Sequence, residues 1–430
     1  MKLRTLSPKN IQKKRVLLRV DYNVPLVGTG AKRRVADATR LEHSRETLEF
    51  LIKYHAKVLL VTHVGRPKDA YDRNLSCDVI AKQLSKLIKH PVVFCPYLEF
   101  EKITAFVSEQ ADDAVILLEN IRFFPGEKKN DPELAKAFAQ LADVYVDEAF
   151  STAHRKHMSI VGLPKYLPAY AGFGFAKEVD TLYRLLTKPK RPFVVIVGGA
   201  KISDKVEAVA HLARIANVVL VGGGVANNFL AADGYDIANS YLQDCPIDIA
   251  KENSNFVHFA GKLISKTKNE RIIKDGYIPL PKILYPTDVL AAKNPQSKQS
   301  CLVELYGQNG SCKQQSELMY LDIGPKTIRL FQEIILSAGT VFWNGPMGVY
   351  EEPAFATGTQ EIARAVAKSS AQTIIGGGDT IGAITQFGMQ NRYDYISAAG
   401  GAALEFLAGE MLPGIEPLIK TPTKTRKATS

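Results

Sequence analysis

Four arginines in the first half of the chain stand at the ends of short β-branched runs, where chemistry is usually done. Arg19 lies in VLLRVDYNVP, Arg66 in VTHVGRPK, Arg122 in LLENIRFFPGE and Arg155 in VYVDEAFSTAHRKH. Arg40 opens TRLEHSRETLEFL, which reads as a helix. The same stretches carry Asp21, Asn23, His63, Asn120, Asp147, Glu148 and His154. Guanidinium forks match carboxylate and phosphate oxygens in pairs, so this set reads as a cradle for a small anion. A single arginine is more simply read as pairing with a local acid on a solvated loop; convergence at several strand ends is what favours the cradle.

The second half is built on glycine. VIVGGAKISDK puts Gly198, Gly199, Lys201 and Lys205 between a strand and a helix, and VLVGGGVANNF repeats the pattern at Gly222, Gly223 and Gly224. TIIGGGDTIGA repeats it at Gly376, Gly377 and Gly378, followed by Asp379 and Thr380, and WNGPMGVYEE sets Asn344, Gly345 and Pro346 before Glu351. Glycine lets backbone N–H groups approach phosphate oxygens, and a helix N-terminus adds a positive dipole. A carboxylate such as Asp379 can hold Mg²⁺ between phosphate oxygens. Neither the G-x-x-x-x-G-K-[ST] loop nor G-x-G-x-x-G occurs, so the familiar nucleotide motifs are missing. Glycine is also the default residue of tight turns, and any one triplet alone could be no more than that.

The elements positioning these residues alternate. Strands are expected at 16–20, 58–62, 92–95, 115–118 and 144–146, then at 193–197, 218–221, 283–286, 340–343, 373–375 and 395–397. Helical periodicity covers 41–53, 132–141, 205–216 and 358–368. That alternation predicts an α/β protein whose parallel sheets are flanked by helices, doubly wound. With 430 residues, 46% hydrophobic and 23% charged, the chain has material for two or three cores. We expect two similar-sized lobes, 1–178 and 179–403, with a break across 167–188 where AYAGFGF forms turns. Segment 404–420 is expected to pack back on the first lobe, 421–430 to be disordered, and the polar stretch 296–316 to be a surface loop.

The net charge is +11, and its excess leans towards the N-terminal half. It attracts acidic partners without choosing among them. Nucleic acid is disfavoured because the basic runs Lys32–Arg34 and TPTKTRKATS lack interleaved aromatics. The five cysteines, Cys77, Cys95, Cys245, Cys301 and Cys312, follow no ligand spacing and read as free, buried thiols. No leader-like or membrane-length apolar run occurs, so a cytoplasmic protein is expected.

These motifs together resemble phosphoglycerate kinase. RVDYNVP, THVGRPK, LLENIRFFPGEKKNDPELAKAFAQLADVYVDEAF, TAHRKH, GGAKISDK, LVGGGVAN, LDIGPKTI, WNGPMGVYE, FATGT, GGGDT and LEFLAGEMLPG match that family's landmarks in order, from Arg4 to about Leu418. The resemblance implies a two-lobed hinge-bending monomer with a central cleft, catalysing reversible phosphoryl transfer between MgATP and 3-phosphoglycerate. It implies Asp21, Asn23, Arg40, His63, Arg66, Arg122 and Arg155 as the acid-substrate site, with Arg40 and Lys201 catalytic. Gly199, Lys201, Lys205, Gly223, Asn344, Glu351, Gly376, Gly377, Gly378, Asp379 and Thr380 match nucleotide positions, with Asp379 as metal ligand. Gly400 and Gly401 match a loop near the transferring group. There the chain departs from the family: Ala398 and Ala399 stand where Thr and Gly are usual. Ala399 fits if its φ is negative. A scaffold that kept only the fold would have lost Lys201, Asp379 or the arginines; all are present.

Overall fold

A computed structural model describes residues 1–68, 71–203, 205–243, 255–267, 281–305 and 316–420. Two compact units form: Met1–Tyr183 together with the chain from Met411 onward, and Arg184–Glu410. Each has its own parallel sheet.

The first unit contains β1 (Arg15–Arg19), the short antiparallel pair β2 (Leu26–Val27) and β3 (Arg34–Val35), β4 (Lys57–Val61), β5 (Val92–Cys95), β6 (Val115–Leu118), β7 (Val144–Asp147) and β8 (Ala169–Ala171). Six of them pair in parallel in the order β5-β6-β4-β1-β7-β8. β1, β4, β6 and β7 are buried almost end to end, as expected for strands covered on both faces. Chain order reverses direction across the sheet between β1 and β7. Ligands in open α/β sheets bind beyond the carboxyl ends at such a point.

The second unit contains β9 (Phe193–Val197), β10 (Val218–Val221), β11 (Ile283–Leu284), β12 (Asp288–Ala292), β13 (Cys301–Glu304), β14 (Met319–Ile323), β15 (Thr340–Asn344), β16 (Gln372–Gly376) and β17 (Tyr395–Ile396). The main sheet runs β11-β10-β9-β15-β16-β17, all parallel, with its reversal between β9 and β15. A side sheet, β13-β12-β14, is antiparallel.

Several expectations are corrected. The supposed loop 296–316 contains β13, whose polar residues lie on an edge strand; 306–315 fall outside the described residues. AYAGFGF is not a pair of turns: AYA is β8, and the helix Phe173–Thr187 begins directly after Gly172. The division between the units falls inside that helix. The 41–53 periodicity is broken into helices Thr39–Glu42 and Arg45–Lys53, because the Ser44 hydroxyl turns inward to the Tyr22 hydroxyl and the Leu41 carbonyl. Cys301 is disulfide-bonded, while Cys77 and Cys95 are buried free thiols.

The chain does not leave the second unit at 404. Helix Gly401–Leu407 buries Ala402, Ala403, Phe406 and Leu407, and packs against helix Val206–Ile215. The return to the first unit starts at Met411. There Gly414 N–H donates to Ala153 O at 2.8 Å, Arg4 N–H donates to Leu418 O at 2.8 Å, and Leu412, Ile415 and Leu418 are buried. The expected tail, 421–430, lies outside the described residues. No described helix is long and apolar enough to cross a membrane.

Candidate active site

In the first unit the expected residues do meet, at the carboxyl ends of β1, β4, β6 and β7. Asp21 follows β1. One of its oxygens accepts from Arg40 Nη1 and from the Ser151 hydroxyl; the other accepts the Asn23 N–H at 3.2 Å. Asn23 Oδ1 in turn accepts the Gly65 N–H at 2.8 Å, and Arg122 Nη1 donates to the Gly65 carbonyl. Gly65 sits at φ +60°, a conformation that side chains resist, so the turn carrying His63 and Arg66 is shaped by that glycine. Arg66 is exposed, whereas Arg40, Arg122 and Arg155 are half-buried.

Electrostatics registers the convergence. His63, 4% exposed, is held well below its ordinary pKa by burial first, and then by Arg19, Arg122, Arg155 and Arg40. Burial, followed by Arg155, Arg19 and Arg66, pushes the Arg122 guanidinium down to about 10, with Glu127 offsetting part of the repulsion. Crowding of like charge beyond a sheet's carboxyl edge is unfavourable alone and becomes favourable when an anion enters.

Asn120 plays a different part. Fully buried, it bonds Val64 through both its amide atoms and accepts from Arg122 N–H at 3.1 Å, so it shapes the loop from within. Asp147 and Glu148 are also interior groups. Burial pushes Asp147 up to about 6 and Glu148 up to about 8. Glu148 Oε1 accepts the Gly174 N–H at 2.7 Å, in the first turn of helix Phe173–Thr187.

The second unit uses backbone instead. The ends of β9, β10 and β15 crowd together at the reversal point. A Cβ on Gly198 would run into the Pro346 carbonyl oxygen, and one on Gly345 into the Gly198 carbonyl. Gly223, at φ +59°, would bring a Cβ to 2.9 Å from both Gly199 N and Pro346 O. These glycines are therefore required by close approach. Beside them lies a cavity of about 520 Å³.

Of the expected nucleotide residues, Gly199, Gly223, Glu351 and Asp379 line this cavity. Lys205 Nζ stands 3.4 Å from where a Gly199 Cβ would be, and Lys201 is exposed nearby in sequence. Gly376–Gly378 and Thr380 lead into and begin helix Gly378–Gln386, with the exposed Asp379 in its first turn. Asn344 is buried against Gly377, and the Thr380 hydroxyl accepts the Gly345 N–H at 2.6 Å, so both also brace the glycine turns.

The cavity wall formed by Tyr241, Tyr320, Leu321, Val349 and Tyr350 was not anticipated. Neither was Asp322, a buried carboxylate that accepts the Gly358 N–H at 2.7 Å and that burial pushes up to about 7. Apolar residues look alike in sequence whether they face a core or a ligand; the motifs LDIGPKTI, with Leu321 and Asp322, and WNGPMGVYE, with Val349 and Tyr350, were the available signals for this wall.

The departure at Ala398–Ala399 is accommodated. Ala399 is buried and has no positive φ; the left-handed residue of the loop is Gly400, at φ +54°. Gly400 and Gly401 are exposed at the start of helix Gly401–Leu407.

The family model described as phosphoglycerate kinase matches residues 6–410. A phosphoglycerate kinase of Pelotomaculum thermopropionicum is 42% identical over 419 residues, covering 97% of this chain and 100% of that protein. One from Pseudothermotoga lettingae is 38% identical, covering 97% and 99%. The structure of phosphoglycerate kinase from Coxiella burnetii superimposes with a TM-score of 0.82 at 33% identity, covering 97% and 99% of the two chains. With an arginine cradle in one unit, a glycine-walled cavity in the other and similarity along almost its full length, this chain belongs to the phosphoglycerate kinase family.

Proposed function

We propose that this chain carries out its family's reaction with the two sets of residues described above. As a phosphoglycerate kinase it moves a phosphoryl group reversibly between ATP and the carboxylate of 3-phosphoglycerate, in glycolysis. The observation that supports the residue assignment best is the mutual repulsion of Arg19, Arg66, Arg122 and Arg155, which a bound anion relieves.

Asp21, Asn23, Arg40, His63, Arg66, Arg122 and Arg155 hold 3-phosphoglycerate. Gly199, Gly223, Lys205, Asn344, Glu351, Gly376, Gly377, Gly378 and Thr380 hold the nucleotide. The acceptor is an ionised carboxylate, so no general base is needed. What the reaction requires is in-line alignment, exclusion of water and positive charge on the transferring oxygens. Lys201 and Arg40 supply that charge, and the backbone N–H groups at Gly400 and Gly401 are further donors.

Among the described residues no cluster of three His, Cys, Asp or Glu is arranged to hold a metal ion. A single exposed carboxylate, Asp379, fits Mg²⁺, which is usually bound through one or two carboxylates plus substrate phosphates and water. When bound, the ion would neutralise charge on the phosphate oxygens. A cytoplasmic monomer completes the reading, testable by fractionation and sedimentation.

A coupled assay of 1,3-bisphosphoglycerate with ADP, with and without Mg²⁺, tests it. Turnover by the purified protein that requires Mg²⁺ and falls ~10²-fold or more in Asp379→Ala is expected, on the scale of losing a transition-state contact. Equal rates in the two proteins would overturn the metal assignment.

A further inference from the structure

We propose that Arg19 is a positioning residue for the acid-substrate site: it holds His63 as the neutral tautomer that carries its proton on Nε2 and offers that N–H to the bound anion. This rests on the reading of the arginine cradle as the 3-phosphoglycerate site.

Arg19 is the last residue of β1, and it is 1% exposed, the most enclosed of the site's arginines. Its guanidinium is fixed on three sides. Nε donates to the Ser159 hydroxyl at 3.0 Å, Nη1 donates to the Val20 carbonyl, and Nη2 lies 3.1 Å from His63 Nδ1. Ser159 is itself held, its hydroxyl donating to Glu127 Oε1 at 2.6 Å and its N–H to Glu127 Oε2 at 2.9 Å. Glu127 is 1% exposed, so a buried carboxylate–hydroxyl–guanidinium chain ends on the histidine ring.

The tautomer follows from donor arithmetic. A guanidinium has five N–H donors and no acceptor, and it does not deprotonate in proteins. The ring nitrogen facing it must therefore accept, and a neutral imidazole has one proton, which is left on Nε2. Asp21 Oδ1 is 3.9 Å from Nδ1, too far for a hydrogen bond, and so does not compete for that nitrogen. The charged groups acting on His63 are Arg19 from β1, Asp21 beyond it, Arg40, Arg122 and Arg155. Four of these five are cations, so the imidazolium is excluded as firmly as the other tautomer. His63 thus presents a fixed, uncharged donor rather than a base. The site binds its anion with a geometry that pH does not change across the neutral range.

The direct test uses the unmodified protein. Long-range ¹H–¹⁵N correlation spectra of ¹⁵N-histidine-labelled, ligand-free enzyme are expected to show His63 as the Nε2–H tautomer, unchanged from pH 6 to pH 8. A proton on Nδ1, or an imidazolium signal at pH 7, would overturn the proposal. Adding 3-phosphoglycerate should shift the Nε2 signal. A correct tautomer with no response to that ligand would instead count against the site reading.

The kinetic test is Arg19→Met. We expect KM for 3-phosphoglycerate to rise ~10-fold, the effect of misdirecting one hydrogen bond to a charged group, with KM for ATP unchanged. KM for 3-phosphoglycerate should also become pH-dependent near the ordinary histidine pKa of about 6.5, because a repelling charge is gone. A variant whose KM is raised equally at all pH values would assign Arg19 a purely structural role. Should Arg19→Met fail to fold, the spectrum of the unmodified protein still decides.

Discussion

The two units gather their candidate site residues by opposite means. The first presents charged side chains, held from behind by buried groups such as Asn120, Ser159 and Glu127. The second presents backbone, with glycines at the ends of β9, β10 and β15 packed too closely for any side chain. The difference suits the ligands proposed for each. A small acid with few atoms needs several strong, directed charges, and arginine forks supply them. A nucleotide's phosphates need many weak N–H donors, and its base and sugar need an apolar wall. The first site should therefore fail when a charge is removed, and the second when an atom is added.

The largest expected effect is on the charged side. Arg40→Ala should lower kcat by ~10²–10³ while leaving ADP affinity unchanged, the usual loss when a transition-state contact is deleted. A kcat within threefold of the parent would show that the cradle's charges are redundant.

The added atom comes next. Gly198→Ala forces a methyl group onto the Pro346 carbonyl and to within 2.6 Å of Met347 Cε. It should cost ~1–3 kcal/mol of stability and weaken ADP binding. Gly261→Ala, in helix Phe256–Thr267 with its Cβ 3.7 Å from Ala232, is the matched control. It should be neutral or stabilising by ~0.5–1 kcal/mol. Equal denaturation midpoints for the two variants would remove the claim that close approach demands glycine at 198.

A last effect concerns pH. Burial raises the folded pKa of Glu148 to about 8, above its unfolded value near 4.5. A carboxyl group shifted in this direction contributes stability that is fully present below pH 4.5 and is lost progressively as pH rises to 8. Glu148→Gln keeps the acceptor for the Gly174 N–H without the titration. Its thermal midpoint should fall less than the parent's between pH 5 and pH 8. Parallel curves would show that Glu148 is not neutral in the folded protein.

Much of what gathers at the carboxyl ends of the two sheets was legible because strand ends announce themselves. A buried parallel strand is a short β-branched run, and the residues just beyond it are those that meet ligands. Asp21, His63, Arg122, Gly199 and Gly377 were all readable in this way. The expected strands at 92–95, 115–118, 193–197 and 218–221 agree with the observed ranges to the residue. The antiparallel side sheet was not legible: β13 lies in a polar stretch, and its pairing with Asp288–Ala292 is a tertiary fact. The cavity wall of Tyr241, Tyr320 and Tyr350 was missed because aromatic residues carry no mark of which surface they face.

By itself, then, the sequence determined the alternation of strands and helices, the parallel sheets and the residues placed at their carboxyl edges, since hydrophobic period and turn chemistry are local. Only the tertiary structure decided which of those residues act on one another. Arg19 and Arg66 are equivalent in sequence, each an arginine near a strand end. One is sealed behind His63 on a serine 140 residues away, and the other is exposed. Whether an arginine can face an incoming anion or only brace a neighbouring side chain depends on burial, and burial is set by the whole chain packing at once.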